Sequence, residues 1–296
     1  MSEFFQYAFS GITTGSIYAI VAIGFSLIYR TTGILNFAQG EFVMLGGMIA
    51  VSLSRVVPLP VAVIGSVAAT ALCGGILEIV FFRPLRSHSL LHMIIITIGL
   101  SIVIQDAALH LWDEKVRSLG YFTGDEISSV RVFGAAISPQ VFWVFGATAV
   151  SVLALHVFLK YTLVGKAMRA CSSNAAAAML AGINTSNMRM LAFVLSAGLG
   201  ALAGCVISPI AMSQYDMGTG LAIKGFAAAI LGGLGHPMGA VAGGLVVGLS
   251  EAFSVSVLPA AYKDAVAFAI LLATLFIRPH GFFGSRDADD ARGGCP

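Results

Sequence analysis

GSIYAIVAIGFSLIYRTTGILNFAQGEFVMLGG, residues Gly15 to Gly47, decides how this chain is read. An uncharged apolar run ends at Arg30, and a second follows. Between them stand Asn36, Gln39 and Glu41, at a depth where lipid makes polarity costly. A membrane protein keeps such groups where they face protein or a water-filled path. The stretch therefore predicts two membrane segments with a polar element between them, in a chain that moves something polar across a bilayer.

Composition agrees. Of 296 residues, 58% are hydrophobic and 10% charged, and the mean hydropathy is +0.93. Soluble domains carry about 25% charged residues, so this chain cannot supply the charged shell of a soluble fold. A net charge of +2 gives no reason to expect nucleic acid as a partner. Cys73, Cys171, Cys205 and Cys295 are scattered without CxxC spacing, which argues against a zinc site. No Lys or Arg precedes the first apolar run, so it reads as a retained span and not a secretory signal.

The expected fold is all-α and polytopic, with about 8–9 transmembrane helices, some broken or re-entrant. The spans are placed at 10–29, 37–54, 61–82, 92–112, 139–159, 189–209, 221–235, 238–257 and 263–277. The second and seventh are short or Gly-interrupted; either reads as a half-helix or a re-entrant segment, which leaves eight full spans as the alternative count. Residues 1–280 read as a single membrane domain, and 281–296 as a polar, disordered tail. Alternating the spans puts Arg30, Arg83, Arg86, Lys160, Lys166, Arg169 and Arg189 on one side with Arg278, Arg286 and Arg292. Arg55, Lys115, Arg117, Arg131 and Lys263 fall on the other, and Lys224 at the membrane edge. The basic excess makes the first side cytoplasmic, with the N-terminus outside and the C-terminus inside.

Two loops are long enough for a task. The outer one, 113–138, mixes Asp113, Glu114, Asp125 and Glu126 with Lys115, Arg117 and Arg131. It reads either as a solvated connector or as a dock for a soluble partner. The inner one, 160–188, contains AAAAMLA, of high helix propensity, after the N-cap formers Ser172, Ser173 and Asn174. Gly182 stands where a helix would end in a left-handed turn. This predicts a short capped helix outside the membrane with Met179, Leu180 and Ile183 at its tip. So short a helix needs a surface to pack on, either a cytoplasmic partner or the protein's own face.

Glu41, Glu78, Asp106, Lys224 and Glu251 lie in or at the edge of spans. Each is either a structural ion pair or end-of-helix group, or part of a polar lining. Lys224 is expected to pair with Glu41 or Glu251. Gly232, Gly233, Gly235 and Pro237 separate two apolar segments, as a broken helix at membrane depth or as a plain turn. Gly11/Gly15 and Gly200/Gly204 have GxxxG spacing, read as close helix packing. No P-loop occurs: Gly165-Lys166 is followed by Ala167, and Lys160 stands where the first Gly should. No HExxH, GxSxG or credible nucleophile–base pair is present, so an intramembrane enzyme is disfavoured.

The chain resembles the permease subunits of branched-chain amino-acid ABC importers, of the smaller, LivH type. The resemblance is carried by Gly11, Gly15, Tyr18-Ala19, Gly24, Leu27-Ile28-Tyr29, Gly33, Asn36-Phe37-Ala38, Gly40, Met44 and Gly46. It continues in Gly165-Lys166-Ala167-Met168-Arg169-Ala170 and Leu180, Gly182-Ile183-Asn184. It closes with Lys224-Gly225-Phe226, Leu231-Gly232-Gly233, Gly235, Gly243-Gly244 and Glu251. The resemblance implies a bacterial cytoplasmic-membrane importer for branched-chain or other hydrophobic amino acids, with no cofactor in this chain. Its implied partners are a second permease subunit, two cytoplasmic ATP-binding subunits and a soluble extracytoplasmic substrate-binding protein. The 172–184 segment would be the helix that couples to an ATPase, through Asn174, Met179, Leu180, Gly182 and Ile183. Family members usually have an acidic residue at the start of that helix, where this chain has Ser173-Asn174. Asn36, Gln39, Glu41, Lys224 and Glu251 would line the path. Urea, short amides or other organic acids are the alternative cargo, and a stand-alone secondary transporter or channel the alternative machine.

Overall fold

The computed structural model describes residues 2–84, 90–125, 127–132, 135–259, 262–278 and 281–283. Arg86, Glu126, Arg286, Arg292, Cys295 and the tail from 284 onward lie outside the described residues. The helices are α1 (Ser2–Thr32), α2 (Gln39–Leu53), α3 (Leu59–Leu77), α4 (Leu90–Trp112), α5 (Gln140–Tyr161), α6 (Leu163–Ser173), α7 (Ala175–Leu180), α8 (Thr185–Ala211), α9 (Met217–Gly232), α10 (Pro237–Ser254) and α11 (Lys263–Ile277). A π-helical turn, Glu78–Phe82, continues α3. Between α4 and α5 an antiparallel hairpin pairs Val130–Val132 (β1) with Ala135–Ile137 (β2), an element not expected from the sequence.

Among the described residues, six helices are long and apolar enough to cross a membrane, taking α3 together with its π turn. α2 and α9 are apolar but shorter, as expected for the second and seventh spans. The fold is all-α and polytopic. Large apolar side chains point outward from α3, α4 and α5, among them Ile64, Leu72, Ile102, Val103 and Leu153. These outer faces suit lipid, which leaves close packing to organise the interior.

α1 supplies that interior, with residues 17–28 almost wholly buried. Its Gly11 and Gly15 lie against α10, where a Cβ on Gly248 would come within 2.3 Å of the Gly15 backbone nitrogen. Gly204 of α8 lies on α2, where a Cβ would reach 1.9 Å from the Val43 carbonyl oxygen. The glycine spacing therefore serves close helix approach. Gly233 and Gly235, both at positive φ, make the turn from α9 to α10. Leu231 and Gly232 carbonyls there accept from the Phe282 and Phe283 N–H groups. Of the two readings of this glycine cluster, the plain turn holds.

Candidate functional site

The segment after α1 turns back instead of leaving the bundle. Gly33 has φ +73°, and the Asn36 side-chain oxygen accepts from the Ala38 N–H at 3.2 Å. α2 then starts beside the middle of α8. Gln39 Nε2 donates to the Ser196 carbonyl at 3.2 Å, and Ser196 Oγ donates to Gln39 Oε1 at 2.6 Å. Gly24 of α1 makes room for this amide, since a Cβ there would lie 2.2 Å from Gln39 Nε2. Gln39 thus clamps the start of α2 to α8, lying against α1.

Glu41, two residues on, is fully buried. Its Oε1 accepts from Ser101 Oγ of α4 at 2.9 Å and from Thr219 Oγ1 of α9 at 3.4 Å. Its Oε2 has no hydrogen-bond partner among the described residues, nor has Asn36 Nδ2. That oxygen lies at Gly218, in the first turn of α9, where an added Cβ would come within 2.5 Å of it. Asp216, the α9 N-cap residue, makes no side-chain cap. A helix start carries partial positive charge that suits a carboxylate, while the Asp216 carboxylate at the same start opposes it. Two short helices therefore begin close together inside the bundle, with buried polar atoms that the protein leaves unmatched.

Lys224 and Glu251 form a separate place. Lys224 Nζ donates to Glu251 Oε1 at 2.8 Å and to Asp264 Oδ1 of α11 at 2.6 Å. Tyr18 O–H donates to Glu251 Oε2 at 2.7 Å, and the ammonium lies 5.6 Å from the Tyr18 ring centre. Of the two expected pairings, Lys224 makes the one with Glu251. Thr219 and Lys224 are five residues apart, which puts them roughly 140° apart around α9. One face of that helix serves Glu41 and another serves Glu251. Glu78 is buried 3.7 Å from Arg189, as a structural pair would be. Asp106 is exposed beside His110.

Sequence reasoning missed Ser101, Thr219, Tyr18 and Asp264. Ser101 was visible as a polar break in an apolar span, and Asp264 as an acid opening α11. Neither spacing nor composition says which helices are neighbours.

At the other candidate site, α6 was not expected. Thr162 Oγ1 caps it by accepting from the Gly165 N–H at 2.9 Å. Gly165, Met168 and Cys171, at spacing three, form its buried face. α7 follows as expected. Asn174 Oδ1 accepts from the Ala177 N–H at 2.9 Å. At the far end the Ile183 N–H donates to the Ala178 carbonyl and the Gly182 N–H to the Met179 carbonyl, both at 3.0 Å, with Gly182 at φ +82°. This is the paired-bond C-terminal stop that a left-handed glycine permits. Asn184 then caps α8 through the Ser186 and Asn187 N–H groups. Ala178 is buried, whereas Met179 is 57% and Leu180 92% exposed. Asn174 and Gly182 shape the helix, Met179 and Leu180 are its free apolar surface, and Ile183 is half-buried between them.

Residues 7–275 match the family described as branched-chain amino acid transport system / permease component. The chain is 33% identical to the high-affinity branched-chain amino acid transport system permease protein LivH of Salmonella typhimurium, over 97% of each chain. It is 35% identical to the corresponding protein BraD of Pseudomonas aeruginosa, over 97% of this chain and 98% of that one. It is 26% identical to the ribose import permease protein RbsC of Escherichia coli, over 88% of this chain and 82% of that one.

Proposed function

Since the chain belongs to the family of branched-chain amino acid transport system permease components, we propose that it carries branched-chain or other hydrophobic amino acids inward across the bacterial cytoplasmic membrane. It is a multi-pass permease subunit of an ATP-binding-cassette importer. In the proposed assembly a second permease subunit completes the path, two cytoplasmic ATP-binding subunits drive it, and a soluble extracytoplasmic protein delivers the cargo. The N-terminus lies outside and the C-terminus inside.

One observation carries the coupling part of this reading: a short helix, capped at both ends, presents Met179 and Leu180 without apolar cover. A two-turn helix has little stability in water by itself. Here the caps hold its shape, so its exposed tip is available to seat in a groove on an ATPase. For the path, Asn36 and Glu41 supply the polar station, with Gln39 holding the start of α2 in place. The unpartnered Glu41 oxygen is an acceptor that an amino acid's ammonium group would satisfy. Lys224 and Glu251 form a second polar station, on the other side of α9.

The test is uptake into proteoliposomes holding the full set of subunits. Leucine uptake should require ATP inside, and unlabelled isoleucine and valine should compete for it. Leucine uptake driven by an ion gradient through this chain alone would overturn the ABC reading. Competition by urea or short amides, with none from leucine, would overturn the cargo.

A further inference from the structure

At the end of the bundle that carries α7, a cavity of about 300 Å³ opens between α1, α5, α6 and α10. Arg30, Lys160, Arg169, His156 and His236 line it, and no carboxylate does. Arg30 and Arg169 are close enough for their like charges to repel, and Arg30 is desolvated as well. Among the described residues no acidic group forms an ion pair with Arg30, Lys160 or Arg169. Arg30 donates from Nε to a hydroxyl, Ser172 Oγ, at 3.3 Å. His236 Nδ1 accepts from the Gly239 N–H at 3.1 Å, so its proton sits on Nε2, free to donate. Three cations and two imidazoles thus converge on one space without a counter-charge.

The cavity continues away from this end. Val152, His156 and Met238 are shared with an apolar groove of about 540 Å³ that runs along α1, α5 and α10. Ala19, Ala149 and Leu245 are among its lining, and no charged residue is. A basic mouth at a bundle end opening into an uncharged groove along three helices matches a molecule with an anionic head and a long hydrocarbon tail. Basic pockets between transmembrane helices at the cytoplasmic side bind anionic headgroups, and lipid phosphate suits Arg and Lys donors.

We propose that this cavity and groove hold one anionic diacyl phospholipid, its phosphate among Arg30, Lys160 and Arg169 and an acyl chain along the α1–α5–α10 groove. The leaflet, cytoplasmic, rests on the proposed orientation; the site does not. The bound lipid neutralises the Arg30–Arg169 repulsion next to α6 and so braces the base of the coupling segment.

The test uses the full-length chain purified in mild detergent with its co-expressed partner subunits. Native mass spectrometry and lipid extraction follow phosphatidylglycerol, with phosphatidylcholine and inorganic phosphate as added competitors. Wild type should retain one phosphatidylglycerol per chain that phosphatidylcholine does not displace. Lys160 and Arg169 are both exposed, so K160Q/R169Q should fold, and it should weaken retention by about thirtyfold, each basic group contributing roughly a factor of five. Ala149→Trp should displace the lipid while leaving every charge in place. K115Q/R131Q, at the opposite end, should change nothing. Equal retention by wild type and K160Q/R169Q overturns the proposal. So does displacement of the lipid by inorganic phosphate together with normal retention in Ala149→Trp, which assigns the basic mouth to a soluble anion. Lipid that binds only after residues 284–296 are removed also overturns it, assigning the mouth to the chain's own Asp287, Asp289 and Asp290. Loss of ATPase coupling without loss of lipid bears on the proposed function alone.

Discussion

Glu41 keeps a buried carboxylate oxygen without a donor while its other oxygen is held by Ser101 and Thr219. A buried polar group left unmatched costs about 1–3 kcal/mol. Folding alone gives no reason to retain that cost, whereas the proposed passage of an ammonium group does. Glu41→Gln preserves an acceptor for Ser101 and Thr219 and removes the charge. It should leave assembly intact and lower uptake by about ten- to hundredfold, the worth of one charge-assisted hydrogen bond. Uptake kinetics in proteoliposomes, beside the elution profile of the complex, check this. Lys224 should differ, because its ammonium also ties helices together. Its ammonium serves Glu251 and Asp264 together, and Lys224→Met strands a buried carboxylate. Removing a partner from a buried pair costs about 3–5 kcal/mol, less here because Asp264 is half in the open. A lower melting temperature in detergent should therefore accompany its loss of transport, whereas Glu41→Gln loses transport alone. Both residues were legible in the sequence as charges in apolar runs. Their different roles were not, because role depends on which neighbour each side chain meets across the bundle.

Short helices set the shape of the interior. α2 and α9 begin inside the bundle because Gly40 and Gly218 let their first turns touch: a Cβ on Gly40 would stand 2.0 Å from the Gly218 carbonyl oxygen. Gly204→Val should therefore fail to fold, with its side chain driven into the Val43 carbonyl. Gly99→Ala and Gly146→Ala, where an added Cβ meets nothing within 4 Å, should be neutral or stabilising by up to about 1 kcal/mol. Thermal melts of the three variants decide it. The same contrast applies at α7. Leu180→Asp with Ile183→Asp should release the ATP-binding subunits while the permease stays inserted; co-purification of an intact complex would cancel the coupling assignment. Asn174→Ala should cost about 1 kcal/mol of local helix stability through the lost cap. α7 was readable because its signals are local: an N-cap, an alanine run and a glycine stop. α6 was overlooked because its three buried residues, Gly165, Met168 and Cys171, are of mixed type and form no apolar run.

Across the whole molecule, the buried centre is α1, with α2, α8, α9 and α10 around it and the lipid-suited faces of α3, α4 and α5 outside. The proposed orientation places α7 and Arg30 in the cytoplasm and Thr123 outside. Met179→Cys should react with an impermeant maleimide only in inside-out vesicles, and Thr123→Cys only in right-side-out ones. The reverse pattern would invert the topology and, with it, the leaflet of the basic cavity. Membrane class, the all-α fold, the weakness of the second and seventh spans and the capped helix before Asn184 all followed from the sequence by itself. Each depends on composition or on residues a few positions apart, which a chain carries with it before it folds. Only the tertiary structure decided that Lys224 turns to Glu251 and Asp264 and away from Glu41, that Gln39 is occupied by Ser196, and that Arg30, Lys160 and Arg169 share one cavity. Most of those residues lie on different helices, many far apart along the chain, and glycine-mediated helix approach helps set which of them meet. Glycine has no side chain through which a sequence could announce its partner.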